Sequence, residues 1–234
     1  MPNATVPFTS WMLPVMQASI LVPMAVIWLR RRQFSAAVQR LSWYVYLSLA
    51  TSIGAWLGAI YLHYNLGFLV AFNLGKIALF GMVYYQVLAL PWARRLVAVA
   101  TVVAVVGAAT VMGYDGFLAM KMSRVAQCAL LAGFALLYLE QSLGRTAPGP
   151  ATHDPIWLLS AGQLLYSAGT VTVFSLESAH LLQYGSITYF IMALSGLAFN
   201  GLLTLAFWRA RPASPTPLPL QARQARQAIR LAQA

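Results

Sequence analysis

The sequence predicts an all-α integral membrane protein, a seven-transmembrane-helix bundle with its N-terminus outside and its C-terminus cytoplasmic. Three observations predict it. Of 234 residues, 60% are hydrophobic and only 8% charged, whereas a soluble domain, facing water on all sides, carries about 25% charged residues. Apolar runs recur at 8–29, 41–64, 66–90, 95–113, 117–140, 156–177 and 186–208, each close to the roughly 20 residues that cross a hydrocarbon core. The bases fall in alternate connections, and cytoplasmic loops are the ones that collect Lys and Arg. Residues 1–211 therefore form the membrane domain, and 212–234 a cytoplasmic tail.

Each run carries its own signal. The first holds Pro14 and Pro23, which remove backbone donors and predict kinks that neighbouring helices accommodate. Arg30, Arg31 and Arg32 follow this run rather than precede it, which reads as a retained span and not a cleaved signal peptide. The second run contains Gly54 and Gly58, a GxxxG spacing that lets helix backbones approach within one bundle or between two copies in a homo-oligomer. Arg94 and Arg95 separate the third run from the fourth, and Arg145 follows the fifth. Asp154 and Pro155 open the sixth as a helix start, with Asp as the cap and Pro in the first turn. The seventh carries Asn200. Arg209, Arg211, Arg223, Arg226 and Arg230 then lie on the same side as the other loop bases, while the first nine residues and Tyr64-Asn65 are uncharged. The tail is proline-rich, then basic, with Arg223, Arg226 and Arg230 on one helical stripe. Such a segment lies on the anionic inner leaflet, docks on a cytosolic protein, or serves as a solubilising extension.

Ionisable side chains at membrane depth are costly, so each is a site candidate. Lys76 lies ten residues below the outer start of the third run, about 15 Å deep at 1.5 Å per residue. Asn73, Lys76, Phe80 and Tyr84 share one helical stripe, so that face is expected to look into the bundle. Gln163, Tyr166, Thr170, Phe174 and Glu177 form a second stripe, and Lys121, Arg124 and Cys128 a third. With Asp115, His63 and His180 they suggest an outward-facing polar cluster. One reading is a water-accessible cavity floored by Lys76 and lined by Asn73, Lys121, Arg124, Gln163, Tyr166, Thr170, Glu177 and Asn200, whose positive excess suits an anionic ligand. The plainer reading pairs Glu177 and Asp115 with Lys121 and Arg124, and holds Lys76 on Asn73 or on backbone carbonyls. A third makes Lys76 the anchor of an aldehyde chromophore through a Schiff base, but no carboxylate lies at comparable depth.

Other chemistries find little support. The chain has four acids, at the ends of runs or in loops, so the paired carboxylates of acid–base or Mg²⁺ catalysis are missing. His63, His153 and His180 are isolated from one another and no H-E-x-x-H occurs, so no metal site and no enzymatic activity are expected. One cysteine, Cys128, excludes an internal disulfide and sits in an apolar run where a thiol is inert. Glycine-rich phosphate loops are lacking. The net charge of +11 follows membrane topology rather than a folded basic face, so nucleic acid is not expected as a partner.

The stretch from His153 to Thr170, with Asp154-Pro155-Ile156-Trp157, Gly162 and Tyr166-Ser167-Ala168-Gly169, resembles one in uncharacterised seven-helix membrane proteins of Bacteroidetes-type bacteria. Leu136 to Gln141 and Asn200 extend the resemblance over roughly the last 120 residues. Members of that family look like companions of two-component sensor kinases, which implies a signalling input role, and the family has no established ligand or catalytic residues to carry over; the residues themselves lead to no expected cofactor. Helix count and topology are also similar to microbial rhodopsins and G-protein-coupled receptors. The seventh run lacks the retinal lysine, however, and the third ends Tyr84-Tyr85-Gln86 without the acidic-Arg motif. The expectation is a sensory, receptor-like module of a bacterial inner membrane, binding a small ligand from outside and signalling to a cytoplasmic partner such as a sensor kinase. The alternatives are a transporter or channel subunit, or a chromophore- or lipid-binding protein. No internal repeat supports the transporter.

Overall fold

A computed structural model of the chain describes residues 7–63, 65–144, 154–178 and 186–210. Those segments are helices joined by short non-helical turns such as Phe34-Ser35 and Leu88–Leu90. The helices are α1 (Pro7–Ala18), α2 (Leu21–Arg30), α3 (Ala36–Leu57), α4 (Leu66–Val87), α5 (Pro91–Met112), α6 (Gly116–Leu143), α7 (Pro155–Ser178) and α8 (Ser186–Arg209). A π-helical turn, Gly58–Leu62, prolongs α3. Among the described residues six helices are long and apolar enough to cross a membrane: Ala36–Leu62, Leu66–Val87, Pro91–Met112, Gly116–Leu143, Pro155–Ser175 and Phe190–Arg209. The chain is thus a multi-pass helical membrane protein. Arg145, His153, His180 and the tail from Arg211 lie outside the described residues.

The first apolar run departs most from expectation. Instead of one kinked helix over 8–29 it forms two, α1 and α2, broken at Ser19-Ile20, so neither alone is long enough to span. The cause is local. Pro23 has no N–H for the Ser19 carbonyl, which accepts from Val22 instead (3.2 Å), and the Ile20 N–H turns to the Gln17 carbonyl (3.3 Å). The Met16 carbonyl, left over by that change, accepts from the Ser19 hydroxyl (2.6 Å) and from the Asn200 amide (3.4 Å). Asn200 also donates to Ser19 Oγ (2.7 Å). The broken first run is therefore stitched to α8 at the point where it breaks, which is how membrane helices tolerate proline.

Packing order follows from close contacts. α4 sits against α3, α5 and α6; α7 lies between α6 and α8; α1 and α2 rest on α8. Gly75 meets Leu47 of α3, and Gly169 meets Ser195 of α8, where an added Cβ would stand 2.7 Å from the serine. Gly54 is pressed against the Phe68 ring, 2.7 Å from where a Cβ would be, and Gly58 is buried. Gly54 thus packs within the chain, the first of the two uses that the GxxxG spacing allows. Valines 99, 102, 103 and 106 of α5 remain exposed, as befits a face turned to lipid.

Polar groups mark the helix ends. Asp115 caps α6 by accepting from Phe117 (2.9 Å) and Leu118 (3.0 Å), so its carboxylate serves the cap, not Lys121 or Arg124. Asp154 caps α7 as expected, accepting from Ile156 (2.9 Å), and its second oxygen accepts from the Tyr138 hydroxyl. Arg94 donates to the Leu88 carbonyl (2.6 Å) and the Ala89 N–H to Gln141 (2.9 Å), closing the α4–α5 turn on α6.

Candidate ligand-binding cavity

At the end of the bundle where α3 meets α4 and α5 meets α6, a cavity of about 470 Å³ opens among α1, α3, α4, α6, α7 and α8. Its size is that of a small-molecule site. Each wall comes from a helix face. α3 contributes Ser48, Thr51, Ser52, Ala55 and Trp56, and its π-helical extension Ala59; α4 contributes Phe68, Phe72 and Asn73; α6 contributes Arg124 and Gln127. Tyr44, Tyr166 and Phe199 make the deep end.

Lys76 stands behind that aromatic floor rather than in it. It is 1% exposed, and its Nζ lies 4.2 Å from the Tyr166 ring centroid, 4.7 Å from Phe199, 5.4 Å from Tyr44 and 5.6 Å from Phe80. Four π faces from four helices surround one ammonium, the arrangement that stabilises a cation through ring quadrupoles. Asn73, expected to hold Lys76, instead donates to Ser123 Oγ (3.0 Å). Among the described residues no carboxylate approaches Lys76, so the rings take the place of a counter-ion.

The nine residues expected at the site separate into groups. Asn73, Arg124, Tyr166 and Asn200 line the cavity, and Lys76 lies beneath it. Gln163 and Thr170 are buried, but bond along their own helix, Gln163 to Ser167 (3.0 Å) and Thr170 to the Tyr166 carbonyl (2.8 Å). They do not line the cavity. Lys121 does not join it either; it is exposed, with Nζ 4.4 Å from the Phe117 ring one turn earlier. Glu177 belongs to the last turn of α7, and its side chain lies outside the described set. Arg124 is half-buried, its guanidinium 5.3 Å from the Phe174 ring. Of the charged residues described, it is the one that lines the cavity.

Sequence reasoning missed Gln127, Tyr44, Phe72 and Phe199. Gln127 was findable, because it follows Arg124 by three residues and so continues the same stripe. It is 2% exposed, and its Oε1 has no hydrogen-bond partner among the described residues. Below the floor the bundle closes: Phe80 and Tyr84 are fully buried, and Tyr84 packs on Phe134 (6.1 Å) and Tyr138 (6.2 Å). Ser160 donates to the Ile156 carbonyl (2.8 Å), so the Tyr84 hydroxyl is the donor in their 3.0 Å contact. An aromatic column thus runs from Lys76 to Tyr138 and the Asp154 cap.

Fold and site together define a class: a polytopic helical membrane protein with a cavity entered at one end and sealed at the other. No protein-family model, characterised protein or solved structure matches the chain.

Proposed function

We propose that the chain is a receptor-like sensory module of a bacterial inner membrane, which binds a small anionic ligand in this cavity and passes the event to a cytoplasmic partner. In this reading α1 and α2 together make the seventh crossing, the N-terminus is outside and the cavity faces out, because the arginine-bearing connections lie at the opposite end. The observation that carries the proposal is the cavity wall itself. Arg124 is its charged residue, Asn73 and Gln127 place amides on the same wall, and aromatic rings close the deep end, so an acid group and an apolar body are both provided for. The seal below favours a receptor over a channel, since Lys76, Phe80 and Tyr84 leave no polar path to the other end. The aromatic column supplies a rigid link by which a shift at the floor reaches the α7 cap and the inner loops. The test is Arg124→Gln in nanodiscs, assayed by native mass spectrometry of co-purified and added carboxylates. Loss of a recurrent non-lipid mass, with the unfolding midpoint unchanged, supports the reading; retention of every bound mass overturns it.

A further inference from the structure

Resting on the reading of the cavity as an anion site, we infer that its ligand is a small acid with a neutral O–H or N–H donor beside the acid group, as in a 2-hydroxy acid. The amides around Arg124 call for that donor. Asn73 donates to Ser123 Oγ (3.0 Å), and the Ser123 proton goes to the Met120 carbonyl (3.0 Å), so the serine oxygen is the acceptor and the amide nitrogen faces it. The Asn73 oxygen is left over, and among the described residues nothing donates to it. The same bond places it beside the guanidinium, because Ser123 precedes Arg124 on α6 and both Asn73 and Arg124 line the cavity. Asn73 lies seven residues into α4 and Arg124 eight residues into α6, about 10 and 12 Å along their helices. Gln127, one turn further along α6, is 2% exposed and lines the same cavity, and its Oε1 has no partner among the described residues. On α8, Asn200 spends its amide hydrogens on the Met16 carbonyl and Ser19 Oγ, which leaves its oxygen too. An amide oxygen accepts and does not bind an acid group. Native proteins seldom leave buried acceptors unpaired, so beside the acid that Arg124 takes, the ligand brings the proton these oxygens lack.

The donor is neutral for an electrostatic reason. Among the described residues no carboxylate lines the cavity. Lys76 Nζ stands behind the floor, 4.7 Å from the Phe199 ring and 5.4 Å from Tyr44, the rings that close the deep end. A ligand ammonium would therefore meet the charges of Arg124 and Lys76 and no opposite one, over rings already turned to a cation. The floor also limits shape. Lys76 follows Asn73 by three residues on α4, so little depth remains below the acid group. The body of the ligand lies level with its acid, across the cavity toward Phe72 and the small side chains Ser48, Thr51, Ser52 and Ala55. A single ring fits that space, and a chain pointing inward does not.

The experiment uses the full chain in nanodiscs and three labelled probes on one skeleton, with binding read by equilibrium dialysis. Mandelate carries the hydroxyl beside its carboxylate, phenylacetate lacks it, and phenylglycine has an ammonium in its place. The expected result is one mandelate per chain, bound about tenfold or more tighter than phenylacetate, which leaves the amide acceptor unpaired, and tighter than phenylglycine. Arg124→Gln should weaken mandelate about ten- to hundredfold, as for loss of a charge-assisted hydrogen bond. Asn73→Leu should bring mandelate down to the level of phenylacetate while both still depend on Arg124. If that variant fails to fold, Gln127→Met, which removes an acceptor that no described residue uses and keeps much of the volume, should reduce the same preference. Arg124-dependent binding of mandelate and phenylacetate with equal affinity overturns the donor and leaves the anion receptor standing. Phenylglycine bound more tightly than mandelate overturns the neutral donor. A preference for mandelate that persists unchanged in the folded amide variant overturns the role of the amides. Binding that ignores Arg124, or no binding of any probe, overturns both this inference and the anion receptor.

Discussion

If four aromatic rings hold the Lys76 charge, removing one ring should cost more when the lysine is present than when it is absent. The perturbation is a double-mutant cycle of Phe199→Leu and Lys76→Met. An ammonium at the bilayer centre costs about 2.5–3.5 kcal/mol on insertion scales, and a desolvated cation–π contact returns up to about 2 kcal/mol. The two nearest rings, at 4.2 and 4.7 Å, are therefore enough to offset most of that cost. Lys76→Met removes both terms and fills much of the same volume, so alone it should change stability by no more than about 1 kcal/mol. Phe199→Leu loses packing in either background, about 1–2 kcal/mol for a partial truncation of a buried ring. Only with Lys76 in place does it also uncover the charge, adding about 1–2 kcal/mol, a factor of roughly 5 to 30 in the unfolding equilibrium. Reversible unfolding of the four proteins by denaturing detergent, under one set of conditions, measures the coupling. A coupling within the scatter of additive sites, about 0.5 kcal/mol, would refute the cage. So would a strongly destabilised Lys76→Met, which would mean that the charge makes a net favourable contact absent from this account.

Three further outcomes are expected. Asn200→Leu removes both bonds to the broken first run, and at about 0.6 kcal/mol for an average interhelical bond in a membrane it should lower stability by about 1 kcal/mol and raise amide exchange in α1 selectively; uniform exchange would show that the stitch is not local. Asp154→Ala strips the α7 cap and the partner of Tyr138 and should cost about 1–2 kcal/mol, whereas Asp154→Asn, which can still cap, should cost markedly less in the same unfolding assay. Gly81→Ala drives a Cβ into the Thr101 side chain and should destabilise by more than 1 kcal/mol. Thr101→Ala clears that space and removes a buried hydroxyl that has no partner among the described residues, so the double variant should recover most of the loss; failure to recover would place the strain elsewhere.

How far the site was legible can be followed residue by residue. The stripe Asn73, Lys76, Phe80, Tyr84 shares one face of α4 by periodicity alone, and all four are buried. Lys121 and Arg124 share a stripe just as well, yet one is exposed over Phe117 and the other lines the cavity. Positions three apart differ by about 60° around a helix, and which of the two meets the bundle depends on where the neighbouring helices stand. The partners of Lys76 were hidden for a related reason. A carboxylate partner has a sequence signature, and this chain has four acids to search. Aromatic residues number 29 across the chain, from 7 Trp, 11 Tyr and 11 Phe, and nothing local singles out Tyr44 on α3 or Phe199 on α8.

The apolar runs, the proline-weakened first span and the helix cap at Asp154 were all determined by the sequence itself. They depend on interactions within one helix or between one helix and its solvent, and their period and composition can be read from neighbouring residues. Tertiary structure alone decided that Asn200 ties the broken first run, that Gly54 is filled by Phe68, and that four rings enclose Lys76. Each joins residues far apart in the chain, and in lipid, where apolar faces gain little by meeting each other, such pairings rest on shape and on a few polar contacts rather than on hydrophobic pattern.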